Sequence, residues 1–167
     1  MKYIFTLVLL ILIKVTIAQD VVNSVGVRAG GGNGFTYKYI EDLRMGFEGI
    51  AGYRDHGFQL TGLIEQYKPI MTDRISNLMF FTGFGAHAGY IRNKEDNYVI
   101  HNNTLYVTDS RKTYVVAGFD GIVGFEYHFH TVPLGITLDY KPYMEFFGAE
   151  FFRIDLWNLA FSVRYKF

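Results

Sequence analysis

At 167 residues, with no Pro/Gly/Ser-rich stretch to act as a linker, the chain is sized for a single domain. Sixteen Lys and Arg balance sixteen Asp and Glu, so the basic excess that marks a nucleic-acid binder is missing. There is no Cys, which excludes disulfides as the means of holding the fold together.

Lys2 precedes an apolar run from Tyr3 to Ile13, followed by Lys14 and Val15-Thr16-Ile17-Ala18 ahead of Gln19-Asp20. This is the layout of a signal peptide. The run is short of the roughly 20 apolar residues that a spanning helix needs, and the small residues Thr16 and Ala18 set cleavage after Ala18; an uncleaved anchor is the alternative. The expected division is a signal peptide at 1–18 and one domain at 19–167. Without residues 1–18 the chain keeps 14 Lys and Arg against 16 Asp and Glu, a formal charge of −2, and nucleic acid stays excluded as a partner.

Through the rest of the chain apolar residues recur at every second position rather than at helical spacing, with eighteen Gly and only three Pro. The fold class predicted is all-β. In chain order the strand segments are 24–31, 34–40, 43–53, 57–68, 78–91, 114–129, 132–144 and 157–167, eight in all. The last is the clearest: Trp157, Leu159, Phe161, Val163, Tyr165 and Phe167 alternate with Asn158, Ala160, Ser162, Arg164 and Lys166. Segment 114–129 exceeds an ordinary strand of about 5 to 6 residues and suits the roughly 9 to 11 residues of a tilted membrane strand with an overhang.

An even number of antiparallel strands brings both termini to one side. Glu41-Asp42, Lys68 to Asn77 and His130 to Pro133 then become turns on the side of the termini. Gly32 to Gly34, Asp55 to Gly57, Arg92 to Lys112 and Glu145 to Arg153 become the connections at the other end, the longest being Arg92 to Lys112.

Alternation alone does not say which face points to the barrel axis, and a soluble barrel with an apolar interior also alternates. Composition decides. A soluble barrel needs a thickly charged outer face, whereas here the polar parity holds mostly Gly, Ala, Thr and Ser with one or two charges per strand, among them Arg28, Lys38, Arg44, Glu48, Glu65, His87, Asp139 and Lys141. The other parity is rich in Phe, Tyr, Val and Leu. Aromatics near its strand ends, such as Phe35, Tyr39, Tyr53, Phe58, Tyr90, Tyr114, Phe129 and Phe167, stand where interfacial girdles lie.

The closing run Phe161-x-Val163-x-Tyr165-x-Phe167 resembles the terminal-strand signature by which outer-membrane barrels are recognised by the barrel-assembly machinery. Together with the leader and the eight segments, it makes the chain resemble the small OmpA/OmpX-type barrels and the outer-membrane protein β-barrel family. The resemblance implies a single antiparallel up-and-down transmembrane barrel in a Gram-negative cell outer membrane. It also implies outer-membrane lipids and the assembly machinery as partners, with no cofactor. The first hairpin, Gly30-Gly31-Gly32-Asn33-Gly34, departs from the family in being very tight.

An eight-stranded barrel is only wide enough for side chains to fill it. The inward charges Arg28, Arg44, Glu48, Glu65, Asp120, Glu126, Asp139, Lys141 and Arg164 are therefore expected to pair there, since a charge facing lipid at mid-depth costs roughly 2 to 4 kcal/mol and an unpaired one inside is also costly. His87 is on the same parity without a Ser or Cys at catalytic spacing and reads as a hydrogen-bonded core residue. His128 and His130 share a face without a third ligand, so metal binding there is adventitious. Gly30 to Gly34 is not followed by Gly-Lys-Ser/Thr and is a turn rather than a phosphate loop. Asn102-Asn103-Thr104 matches a glycosylation sequon only formally.

The leading expectation is a non-enzymatic integral outer-membrane protein, structural or interacting through its outward connections. Arg92 to Lys112 is the candidate contact for an extracellular protein, because Tyr98-Val99-Ile100 and Leu105-Tyr106-Val107 could extend strands five and six as a hairpin whose edge pairs with a partner strand. The alternatives are a lipid-modifying enzyme, for which the Ser/His constellation is missing; a small porin-like channel, for which eight strands leave no open lumen; and a soluble periplasmic barrel carrying an apolar ligand.

Overall fold

Strand after strand, period-two alternation combined with β-branched and aromatic residues forces an extended backbone whose two faces differ in chemistry. The computed structural model describes residues 21–41, 44–72, 75–101, 104–148 and 151–167; for 21, 71, 72, 75, 76, 94–101 and 104–111 it describes the backbone alone. The leader expected at 1–18 lies outside the described residues, as does Asp42 of the first turn. The described residues form ten strands: β1 Val21–Gly30, β2 Asn33–Glu41, β3 Met45–Arg54, β4 Gly57–Thr72, β5 Ile75–His101, β6 Thr104–His128, β7 Leu134–Tyr140, β8 Tyr143–Phe146, β9 Phe152–Asp155 and β10 Leu159–Lys166.

All pairings are antiparallel, and they close into the ring β1-β2-β3-β4-β5-β6-β7-β10. The short strands β8 and β9 continue β7 and β10 beyond two interruptions, so the wall is eight strands thick in number, as the alternation predicts. Pro142, which has no N–H to give a ladder, sits at the β7/β8 break, where its carbonyl accepts from Gly121 N at 2.9 Å. Opposite, Leu156, Trp157 and Asn158 face only Lys141 and Pro142. This is a bulge, and it lets both Leu156 and Trp157 point outward, the latter 92% exposed.

From Val27, the paired residues Phe35, Ala51, Leu60 and Ala88 lead to Ala117 of β6. In the other direction Val163 and Ile136 lead to Tyr127 of the same strand. The ring thus closes with a stagger of ten residues. With strands about 4.8 Å apart rising about 3.4 Å per residue, that stagger sets a tilt of roughly 40° and a backbone radius of about 8 Å.

The connections differ in several places from the sequence expectation. The stretch from Arg92 to Lys112, by contrast, extends strands five and six as the hairpin weighed for it: β5 and β6 stay paired from Leu78↔Tyr127 to His101↔Thr104, while β4 leaves β5 at Phe58↔Tyr90. A two-stranded ribbon therefore rises some ten residues, about 34 Å of strand length, past the rim. The segment Lys68 to Asn77 is likewise mostly strand, with a register shift between Ile70 and Thr72. Glu145 and Phe146 belong to β8, and Phe152 and Arg153 to β9, which shortens the connection placed at 145–153. The Asp55-His56 link is a two-residue turn with φ of 48° and 57°, the type I′ geometry that matches strand twist.

The outward parity is exposed and apolar all round, from Val27, Phe35, Phe47 and Leu60 through Phe84, Phe119 and Leu138 to Phe161 and Tyr165. Inside, the charges share space with an apolar layer of Ile40, Ile50, Leu63, Tyr67, Met79, Phe81 and Ile122, which the small-residue reading of the inner parity did not anticipate.

Candidate functional site: the charged interior

Two groups of ionic side chains occupy the barrel. The one nearer the termini centres on Lys38 of β2, fully buried. Its Nζ lies 3.2 Å from Glu48 Oε2, 2.9 Å from Glu65 Oε2 and 3.2 Å from Glu126 Oε2, carboxylates carried by β3, β4 and β6. Lys38 also donates to Tyr67 Oη at 2.7 Å, and that hydroxyl donates to Glu65 Oε2 at 2.7 Å. The Phe81 ring faces the same ammonium at 4.5 Å from its centroid. Arg164 of β10 reaches Glu48 Oε1 at 2.6 Å and donates to Thr137 Oγ1, while Thr36 donates to Glu48. His128 closes the group through Nε2, 2.7 Å from Glu126 Oε1.

The second group lies toward the turn end opposite the termini. Arg28 Nη1 donates to Asp139 Oδ2 at 2.6 Å. Lys141, at the β7/β8 break, pairs with Asp120. His87 stands between two carboxylates, Nδ1 at 2.7 Å from Asp120 Oδ2 and Nε2 at 3.4 Å from Glu145 Oε1, with Tyr143 edge-on to its ring. Glu145 also receives Arg54 Nη2 at 2.5 Å. At the rim Arg153 lies 3.6 Å from Asp55 Oδ2 and 3.7 Å from Asp155 Oδ2.

Of the nine charges expected to meet inside, Arg28, Glu48, Glu65, Asp120, Glu126, Asp139, Lys141 and Arg164 are buried and paired. Arg44 is the correction. It is exposed in the turn before β3, where its carbonyl accepts from Tyr67 N at 2.8 Å, because strand parity loses its meaning one residue outside the ladder. Reading the sequence missed Lys38 as the hub, although its parity was inward, and it missed Glu145 and Arg54. The signal for Glu145 was its odd-numbered register with Tyr143, hidden by the assignment of 145–153 to a connection.

Chemically, this interior is a set of ion pairs with no hydroxyl or thiol nucleophile among the groups bonded to His87. Among the described residues no three His, Cys, Asp or Glu gather in a metal-binding group. His130 is exposed in the turn, apart from His128. Phe161, Val163 and Tyr165 are exposed on the outer face of β10, and Phe167, exposed just beyond it, donates its N–H to Asn23 O of β1 at 2.9 Å.

No family model matches the chain, and no curated protein matches it. Among solved structures, the N-terminal β-barrel domain of Pseudomonas aeruginosa OprF is similar with a TM-score of 0.57 at 14% identity, over 89% of this chain and 98% of that domain. At that identity the likeness speaks for architecture, and the chain has the closed eight-stranded antiparallel barrel fold.

Proposed function

We propose that the chain is an integral outer-membrane protein without enzymatic activity, inserted with its termini toward the periplasm and its β5–β6 ribbon outward. The single observation that carries this is the inverted distribution of side chains: Phe35, Leu60, Phe84, Val115, Phe119 and Leu159 are each more than half exposed on the outer wall while Lys38, Glu48, Glu65, Asp139 and Arg164 are buried in the bore. A soluble barrel with this outer wall would present a continuous apolar belt to water. In a bilayer the same belt meets lipid tails, and closure of the ring leaves no unpaired edge there.

On this reading the ion pairs plug the bore and make the protein structural rather than conducting. The exported leader, the contact of the β10 outer face with the assembly machinery, and partner binding through residues 92–112 all belong to the same proposal. The ribbon supports the last of these, because above the rim β5 has lost β4 as a neighbour and offers a free edge for strand addition.

Heat-dependent mobility on SDS gels of an isolated outer-membrane fraction tests the reading. The expected result is a fast band that slows on boiling. A protein found in the soluble periplasm with no shift would overturn it.

A further inference from the structure

At the mouth opposite the termini a cavity of about 30 Å³ lies beneath the Gly31-Gly32 turn, and three cations line it: Arg28 of β1, Arg54 of β3 and Lys141. Each has a carboxylate partner, Asp139, Glu145 and Asp120 respectively, yet none of those carboxylates lines the cavity. The wall thus offers cationic donors with the matching charge set behind them.

Several of those donors are unused. Arg28 is only 3% exposed, and its Nη2 has no hydrogen-bond partner; nor has Nη1 of Arg54, whose Nε lies 3.4 Å from Asp55 Oδ2. A buried guanidinium N–H without an acceptor is costly, which makes these atoms informative. Asn158 lines the same cavity with Oδ1 unpartnered. A half-turn of its amide exchanges that oxygen for an NH₂ donor. Gly31 leaves room for this amide, since a Cβ there would fall 2.4 Å from Asn158 Oδ1.

We propose that this cavity binds an oxyanion, a carboxylate or phosphate group. At about 10 to 15 Å³ for each water-sized atom, the cavity admits two oxygens. These insert between the Arg28 and Arg54 guanidinium groups, whose planar forks suit paired oxygens, and the rest of the ligand projects from the mouth. The group could arrive on a soluble molecule or on a lipid headgroup; the chemistry recognised is the same. This goes beyond the structural role proposed above and does not depend on partner binding by the ribbon.

The test is titration of the barrel in detergent micelles with inorganic phosphate, at constant ionic strength set with chloride. Fluorescence of Trp157 is the readout, since it is the single Trp of the chain and adjoins Asn158. A saturable change is expected, weakened at least tenfold by Arg54→Gln and altered less than twofold by Arg153→Gln, an exposed cation of the same rim outside the cavity wall. Heat-dependent mobility of each variant verifies the closed barrel. If Arg54→Gln does not close, Arg54→Lys keeps a charge for Glu145 while removing the fork, and a several-fold weakening is expected. Micelles doped with phosphatidic acid form the second arm: saturation with free phosphate assigns a soluble ligand, and a response to the lipid alone assigns a headgroup. No saturable change in either arm, or an equal change in a closed Arg54 variant, would overturn the proposal.

Discussion

Phe84 lies halfway along the outward run Leu78, Phe80, Thr82, Phe84, Ala86, Ala88, Tyr90 of β5, and it is 69% exposed. Its ladder neighbours are Ile64 and Gly121, so one side of the ring is bare. If lipid surrounds the belt, Phe84→Arg puts a guanidinium at mid-depth and costs roughly 2 to 4 kcal/mol. If water surrounds it, the same surface change stays within about 0.5 kcal/mol. Taking about 3 kcal/mol and a urea slope of about 2 kcal/mol/M, the unfolding midpoint falls by about 1.5 M. The assay is equilibrium urea unfolding of the barrel in lipid vesicles, scored by the fraction that keeps its unboiled gel mobility. Phe84→Leu, which retains an apolar surface, is the reference. A midpoint shift below about 0.3 M for Phe84→Arg would refute the lipid-facing assignment of this wall, because it corresponds to the cost expected in water.

Removing the hub amine with Lys38→Met leaves Glu48, Glu65 and Glu126 facing one another around Arg164, and a loss of about 3 to 5 kcal/mol is expected in the same unfolding assay. Adding Glu65→Gln to that variant should recover part of the loss, which a double-mutant cycle measures. Gly57→Ala would set a Cβ 1.8 Å from Tyr90 O and should cost about 1 to 3 kcal/mol; Gly62→Ala, with nothing within 4 Å of the new Cβ, should stay within about 0.5 kcal/mol. Phe167→Ala is expected to lower the amount of protein recovered in the outer membrane while leaving folding into detergent micelles unchanged, as judged by quantitative blotting against the heat-shift assay.

Strand number, strand parity and the side on which the termini meet were legible because a period of two survives along every ladder. The ends of strands were not, since parity says nothing about where pairing stops. Arg44 was carried inward by a strand drawn two residues too long, and Glu145 was lost to a connection drawn too long. The β5–β6 ribbon was half legible: its flanking apolar triplets suggested a hairpin, but the polar residues Arg92 to Asn97 masked a strand that pairs only with its own hairpin mate. Least legible was partnership. Arg164 and Glu48 are 116 residues apart, and only the stagger of the closed ring brings them to the same height.

That stagger also bears on why the charges sit where they do. Around the ring, β2 and β6 are four places apart, directly opposed, and Lys38–Glu126 spans them. Arg54–Glu145 does the same between β3 and β8, the continuation of β7. Pairs of this kind set the distance between opposite walls, which a cross-section flattened or opened by a few ångströms would break. Hydrophobicity has little power to sort inside from outside when lipid lies beyond the wall, because Phe81 in the bore and Phe84 on the belt are both out of water. Charge retains that power. Each Lys or Arg turned to mid-depth lipid costs roughly 2 to 4 kcal/mol, and the inward strands β1, β2, β3 and β10 each carry at least one. In the membrane reading, the ion pairs are therefore what fixes which face of each strand is inward, with the apolar layer around Phe81 filling the space they leave.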